Sequence, residues 1–358
     1  MNNTPQRHGI AAAGNWIVDR VKTVERLPGR GMLASILGEV ASTGGAPANV
    51  LGDLARLSAP FPLWGFGAVG PDETGRFIRD RFRALGVNID GLAILTDRPT
   101  SYTDVMSELG TGARTFFHHR GANAGFGPEH IPIPALTCRI FHFGYLLLLD
   151  RFDAPDPEAG TVAARLLRDV RAQGIRTCLD VVSEDGDRFR TLVPPALRHV
   201  DYLIINEIEA GRTVGRVIRR DDGSFDAAAL VGAVDELLTL GTMELVAVHM
   251  PEGSYLKRRD GTSHAVGSVA LPPGFIKGTV GAGDAFCAGV LYGLHEGWPD
   301  ARALRLGSAL AAASLSHEGA TEGVGPLADV LALETRHGLR PPPIVLHSQN
   351  TPANANGR

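Results

Sequence analysis

The sequence predicts an α/β fold built on a mainly parallel central sheet, with a second, smaller β-sheet standing apart from it. From Ile140 onward, short apolar strands alternate with helical stretches, which implies parallel strands covered on both faces and joined by right-handed crossovers. Two blocks of short strands, 21–40 and 101–118, interrupt that alternation and have no helices of their own. Size agrees with this: 358 residues, 44% of them hydrophobic and 21% charged, allow one large domain or two smaller ones with a substantial core.

In chain order, residues 10–13 form a strand that runs into Gly14 and a polar turn, a common way for such a sheet to present ligand contacts at its carboxyl edge. Pro28, Gly29 and Gly31 divide the first short-stranded block into two strands and a turn. Thr43-Gly44-Gly45 opens a helix over 48–57. Gly65-Phe66-Gly67-Ala68-Val69-Gly70 then follows an apolar strand and precedes a helix over 73–85, with Asp90 at about the 20-residue distance of a dinucleotide fingerprint. In a true fingerprint the third glycine lies inside the helix, whereas here Pro71-Asp72 follow Gly70 and look like the helix start. A structural turn is the better reading.

The second short-stranded block turns at Gly110-Thr111-Gly112 and leads past Arg114 to Arg120-Gly121-Ala122-Asn123; His118 and His119 within it face opposite ways. Strands over 140–143, 176–182, 202–205 and 244–249 alternate with helices over 158–173, 189–200 and 226–240. Helices over 301–315 and 327–337 close the domain. The expected organisation is a flexible start over 1–9, one domain over 10–338 and a disordered polar tail over 339–358 that begins near Pro341-Pro342-Pro343.

The chemistry concentrates in residues 276–289, where Gly281-Ala282-Gly283-Asp284 falls at the entrance of a helix over 284–296. A helix entrance has unpaired N–H groups and partial positive charge, and glycines let an anion approach them. Asp at that place is an ordinary N-cap. Yet an N-cap needs no pair of glycines, and a bare phosphate cradle has no use for a carboxylate. Together they suit phosphoryl transfer to a hydroxyl, the amides steadying the phosphoryl group and the carboxylate taking the proton.

This run resembles the C-terminal signature of the ribokinase-like (PfkB) carbohydrate kinases, an Asp-Thr pair followed by Gly-Ala-Gly-Asp. Thr279 and Gly281 to Asp284 match it, and Gly278 stands in place of the first Asp. The family's N-terminal Gly-Gly-x-x-Ala-Asn is matched by Gly44, Gly45, Ala48 and Asn49, and its Gly followed five residues later by Asp by Gly14 and Asp19. Val69-Gly70-Pro71-Asp72-Glu73-Thr74-Gly75 matches a further element, and Asn206-Glu207-Ile208-Glu209 its Asn-x-x-Glu.

The resemblance covers residues 10–338 and implies a ribokinase-like three-layer fold in which the small sheet, inserted as segments of about 21–43 and 99–119, is a lid over a sugar. It implies an ATP-dependent kinase acting on a hydroxyl, primary in the expected case, of a sugar or sugar-like compound. Asp284 would be the general base, and the amides of Gly281, Ala282 and Gly283 the anion hole. Asp19, Gly44, Gly45, Asn49, Gly121 and Asn123 would hold the acceptor. Asn206, Thr279, Gly253, Gly281 and Gly283 would meet the nucleotide, and Asn206 and Glu209 would hold Mg2+, although acidic residues at a helix start are also plain dipole partners. In the family the first Asp of the signature shapes a monovalent-cation site, so with Gly278 a potassium requirement does not carry over. His249 and Pro251 replace family residues in the nucleotide loop, and Pro removes an N–H there, which leaves the phosphoryl donor open. Lids in this fold also pair between subunits, which makes a homodimer an expectation.

A formal net charge of −4 and a pI near 6.3 give no reason to expect nucleic acid or an anionic membrane. No apolar run approaches the roughly 18 residues of a membrane span, and the polar start lacks a signal-peptide profile, so a cytoplasmic protein is expected. Cys138, Cys178 and Cys287 are far apart in sequence and read as small buried residues rather than a disulfide or zinc framework. Rival readings are a nucleoside kinase of the same family, with Trp16, Tyr102 and Phe116 available to stack on a base, a noncatalytic sugar or nucleotide sensor, and a dinucleotide oxidoreductase.

Overall fold

A computed structural model describes residues 7–110, 114–183 and 186–346. Its main sheet has nine strands in the order Ser263–Gly267, Gly253–Arg258, Leu245–Met250, Tyr202–Asn206, Arg176–Val181, Ile140–Leu146, Ile10–Gly14, Leu63–Val69 and Asn88–Ile94. From Leu245–Met250 onward neighbouring strands run parallel, and the first two are antiparallel additions at one edge. Strands buried on both faces read as unbroken apolar runs, which is why those of the second half were visible in the sequence. The hairpin strand Gly253–Arg258 was not: Met250 pairs with Gly253, so Pro251-Glu252 is a two-residue turn where the sequence suggested a nucleotide loop.

Two apolar cores flank the sheet, making three layers. One lies under helices Ala46–Arg56, Glu73–Ala84, Ala282–His295, Asp300–Ser314 and Leu327–His337. The other lies under Val162–Ala172, Phe189–Leu197 and Ala227–Leu240. No helix among the described residues is long and apolar enough to cross a membrane.

The small separate sheet, the one expected as the lid, has four strands, ordered Ile36–Gly44, Ile17–Val24, Tyr102–Glu108 and Arg114–His119. It starts at Ile17, ahead of the expected 21, because Ile17 already pairs with Gly44. The expected turn at Thr111-Gly112 lies outside the described residues. Side chains in register across the lid share a face. Ser42, Asp19, Thr103 and His118 form one such row, and Val40, Val21, Val105 and Phe116 form the next.

Both chain ends depart from expectation where they are described. His8 N–H donates to Thr137 and Gly9 N–H to His295 Nε2, so 7–9 are tied down. Residues 339–346 pack rather than dangle: Leu339 bridges Val269, Arg340 N–H donates to Ser268 O, and Ile344 is buried. Residues 1–6 and 347–358 lie outside the described residues.

The G-x-G-x-x-G run serves packing. Trp16 is fully buried, its indole N–H donates to Phe66 O at 2.9 Å, and a Cβ on Gly65 or Gly67 would stand 2.6 or 2.1 Å from its ring. Asp72 caps helix Glu73–Ala84 by accepting from Gly75 N–H and also accepts from Thr100 N–H, clamping the loop before the lid. Gly67→Ala is therefore expected to destabilise the fold by about 1–3 kcal/mol through overpacking, with partial recovery in the Gly67→Ala/Trp16→Leu double variant; urea denaturation of both measures this.

Candidate active site

Asp284 sits in the first turn of helix Ala282–His295, behind Gly281, whose φ of 77° is the left-handed backbone that turns the chain into the helix. Its carboxylate is buried, and two donors converge on one oxygen: Asn49 Nδ2 at 2.7 Å and Tyr145 OH at 2.9 Å from Oδ2. Burial pushes the carboxyl above its usual range, while the bonds from Asn49 and Tyr145 and the charge of His142 pull it back. Oδ1 is left to deal with a further group.

Asn49 comes from the first turn of helix Ala46–Arg56, whose N-cap Gly45 has φ 93° and packs against Asn15 O. Gly44 lies so close to Asp19 that a Cβ there would be 2.0 Å from Oδ2. Burial, and then the Asp284 charge, push Asp19 up to about 7 against a bond from Thr103. The fold thus gathers Asp19, Gly44, Gly45, Asn49 and Asp284 from three distant segments. Tyr145, at the carboxyl end of strand Ile140–Leu146, joins them without a signal in the sequence. So does Asp53, one turn beyond Asn49, which is fully buried with no hydrogen-bond partner among the described residues and whose carboxyl is raised by burial and the Asp284 charge.

Asn123 does not present its amide to the site. Its Oδ1 accepts from Trp16 N–H at 3.3 Å and its Nδ2 donates to Trp16 O at 3.1 Å, so it fixes the turn between Gly14 and Asp19. Gly121, with φ 44°, packs against Pro99 O and brings the chain back from the lid. Asn206 and Glu209 likewise cap a helix: Asn206 Oδ1 accepts from Ile208 and Glu209 N–H, and Glu209 Oε2 accepts from Asn206 N–H. The other Glu209 oxygen accepts from Ser183 Oγ at 2.7 Å. Burial pushes Glu209 up to about 7, and Asp180 is raised by burial and by Glu209 and Asp284.

Across the helix entrance from the acid cluster is a cleft of about 390 Å³. Met250, Val269, Leu271, Phe286 and Ala312 give it apolar walls, and Thr279, Ala282, Gly283, His249 and Gly253 also line it.

Residues 7–325 match the pfkB family carbohydrate kinase pattern. The chain belongs to that family. An ATP-dependent ribose-1-phosphate kinase of Halopiger xanaduensis is 28% identical over 90% of this chain and 96% of its own length. A ribokinase of Arabidopsis thaliana is 25% identical over 90% and 80%. Among solved structures, Arabidopsis thaliana ribokinase complexed with ribose and ATP has a TM-score of 0.73 at 23% identity, over 91% of this chain and 98% of that one. Giardia lamblia ribokinase has 0.76 at 21%, with the same coverage of 91% and 98%. The fold is ribokinase-like.

This carbohydrate kinase departs from the signature for visible reasons. A Cβ on Gly278 would meet His317 O at 2.7 Å and Glu318 Cα at 2.9 Å, so backbone fills the space an Asp side chain would take. The His249 ring lies against Gly283 and Phe286, and burial holds it neutral with a pKa down to about 4. Of the aromatic candidates for stacking, Trp16 is core, while Tyr102 stacks on His119 under Arg20, on the opposite lid face from Thr103. Phe116 alone shares the face of Asp19. The kinase's three cysteines are buried free thiols, but the fold brings Cys178 and Cys287 together with His142, their ligand atoms all within 4.8 Å of one another.

The raised Asp19 carboxyl has a consequence for stability. The folded state binds its proton more tightly than the unfolded state, so the stability it contributes is full below the unfolded pKa near 4 and is lost as pH rises through about 7. Asp19→Asn is expected to be more stable than wild type at pH 8, by roughly 2–4 kcal/mol, and to show little gain at pH 4. Urea midpoints at the two pH values measure this.

Proposed function

We propose that the protein transfers the γ-phosphoryl group of ATP to a hydroxyl, primary in the simplest case, of a sugar or riboside, with Asp284 as general base. The observation that carries this is the convergence of Asn49 and Tyr145 on Oδ2. Two donors hold the carboxylate in one orientation and leave Oδ1 as the atom that takes the proton. Because burial raises its proton affinity, it is a better base than an exposed carboxylate.

In this reading the acceptor lies between the lid and the helix entrance, with its hydroxyls donating to Asp19. Its reacting hydroxyl loses its proton to Asp284 Oδ1 as the oxygen bonds to the γ-phosphorus and the bond to the ADP oxygen breaks. The N–H groups behind Gly281, Ala282 and Gly283 steady the charge on the moving phosphoryl group. The apolar cleft walled by Met250, Val269 and Phe286 suits an adenine, with Thr279 and Gly283 toward the phosphates and Gly253 in the adjoining hairpin. The ATP-dependent ribose-1-phosphate kinase among its relatives and the Arabidopsis thaliana ribokinase structure complexed with ribose and ATP support ATP as the donor.

Mg2+ would neutralise phosphate charge and align the β- and γ-phosphates. Crowded buried carboxylates suit a hard dication, and Asp180, raised by burial and by the charges of Glu209 and Asp284, lies in such a group. Asn206 serves them by capping the helix that carries Glu209. A riboside acceptor is the second reading, favoured by the apolar row of Val40, Val21, Val105 and Phe116 beside the polar row of Asp19.

Asp284→Asn keeps both donors' surroundings but removes the base. Turnover should fall by about 10²–10⁴ while ATP affinity persists; coupled-assay kcat and calorimetric ATP titration test it, and a variant within about threefold of wild type would remove Asp284 from its role.

We further propose pairing of two copies through the lid, supported by its exposed Met32, Leu33, Leu37 and Phe117. Sedimentation equilibrium should give a dimer that Leu33→Glu converts to a monomer. A monomeric wild type would sink this.

A further inference from the structure

The lid row of Ser42, Asp19, Thr103 and His118 contains a chain of hydrogen bonds that the reaction as described does not use. Thr103 bonds the Asp19 carboxyl, and Thr103 Oγ1 lies 3.0 Å from His118 Nδ1. The far nitrogen of that ring, Nε2, is sealed from solvent and has no partner among the described residues. A buried polar atom left unpaired costs about 1–3 kcal/mol, so one at a ligand site calls for a partner. Ser42 Oγ, at the other end of the row, is also buried and unpaired.

The proton inventory fixes what kind of partner His118 needs. Acceptor hydroxyls donating to Asp19 favour its ionised form. The single Thr103 proton then goes to that carboxylate, and Thr103 Oγ1 can only accept from His118 Nδ1–H. Burial together with the charges of Arg120 and His119 holds the imidazole neutral, with a pKa down to about 4. A neutral ring with its proton on Nδ1 has a bare acceptor at Nε2.

Position says where on the acceptor that partner lies. Strand Arg114–His119 is two strands away from Ile17–Val24, with Tyr102–Glu108 between them. That spacing is about 9–10 Å, more than one sugar ring spans. Beside His118 on the same face run Val105 and Phe116, an apolar surface for whatever the ring carries.

We propose that His118 reads the acceptor beyond the sugar ring, its Nε2 accepting a hydrogen bond from an O–H or N–H of the group attached to that ring. This rests on the acceptor site assigned above, and it makes the lid selective for an extended acceptor, of which a riboside is the simplest. Thr103 is the positioning residue that fixes the tautomer.

The test compares D-ribose, which is too short to reach, with adenosine, guanosine, inosine and cytidine. Phosphate transfer by wild type is measured first. His118→Phe and His118→Asn are then compared with it, the second because its amide still donates toward Thr103 but lacks the far nitrogen. For at least one nucleoside both variants should raise KM about tenfold with kcat little changed, while KM for D-ribose and for ATP stays within about twofold. Unfolding midpoints of both variants show whether the fold is intact. An equal KM change on D-ribose and on every nucleoside, no change on any, or a wild type that uses ribose and no nucleoside would overturn the role of His118. If wild type releases ADP with none of them, the reading of ribose or a riboside as the acceptor fails instead. Calorimetric affinities for the same set then decide His118 alone, and absence of binding by all of them overturns both.

Discussion

A carboxylate kept out of water where two helix entrances meet is the constraint on which the rest of this structure depends. Asp284 lies in the first turn of Ala282–His295 and Asn49 in the first turn of Ala46–Arg56, so the bond between them ties the two N-termini together. Removing a carboxylate from water costs several kcal/mol. Two directed donors and two helix dipoles offset that cost, and they do so only while both helices hold their places. The shared core beneath them, with Val50, Leu51, Phe286 and Val290, fixes those places. Tyr145 adds the central sheet to the same junction, so two helices of one layer and a strand of the sheet meet at one oxygen.

The same junction crowds negative charge. Asp19, Asp53, Asp180 and Glu209 are all buried with carboxyls raised by burial, and the Asp284 charge adds to each. Stability alone would not select such a cluster, whereas chemistry that handles protons and a dication would. The lid takes part because Asp19 is carried on its first strand. Where the lid sits relative to the main sheet therefore sets how strongly Asp19 and Asp284 repel each other.

Much of this was legible because the signals are local. Short apolar strands with helices between them declare a parallel sheet, and the run from Gly281 to Asp284 declares its own position at a helix entrance. What stayed hidden depends on register or on distant packing. Tyr145 follows Gly144 in an apolar strand and reads as core. Thr103 and His118 join Asp19 only through the pairing of three strands. The family resemblance puts Asn123 in the acceptor pocket, yet its amide spends both ends on the Trp16 backbone, a choice that no spacing reveals. Gly65 and Gly67 imitate a dinucleotide loop because an indole needs the room. Cys178 and Cys287 are far apart in the chain and neighbours in space for the same reason of distant packing.

The segment around Leu339 and Arg340 has an effect beyond filling space. Strand Ser263–Gly267 ends the main sheet, and a bare end strand is a template on which another molecule can add itself. The bridge from Leu339 to Val269 and the bond from Arg340 to Ser268 continue along that border. Pro341, Pro342 and Pro343 come next and lack the N–H groups that an added strand would need. This short, proline-rich stretch thus occupies the border just past the end of that strand, where a further chain would otherwise find open N–H and C=O groups.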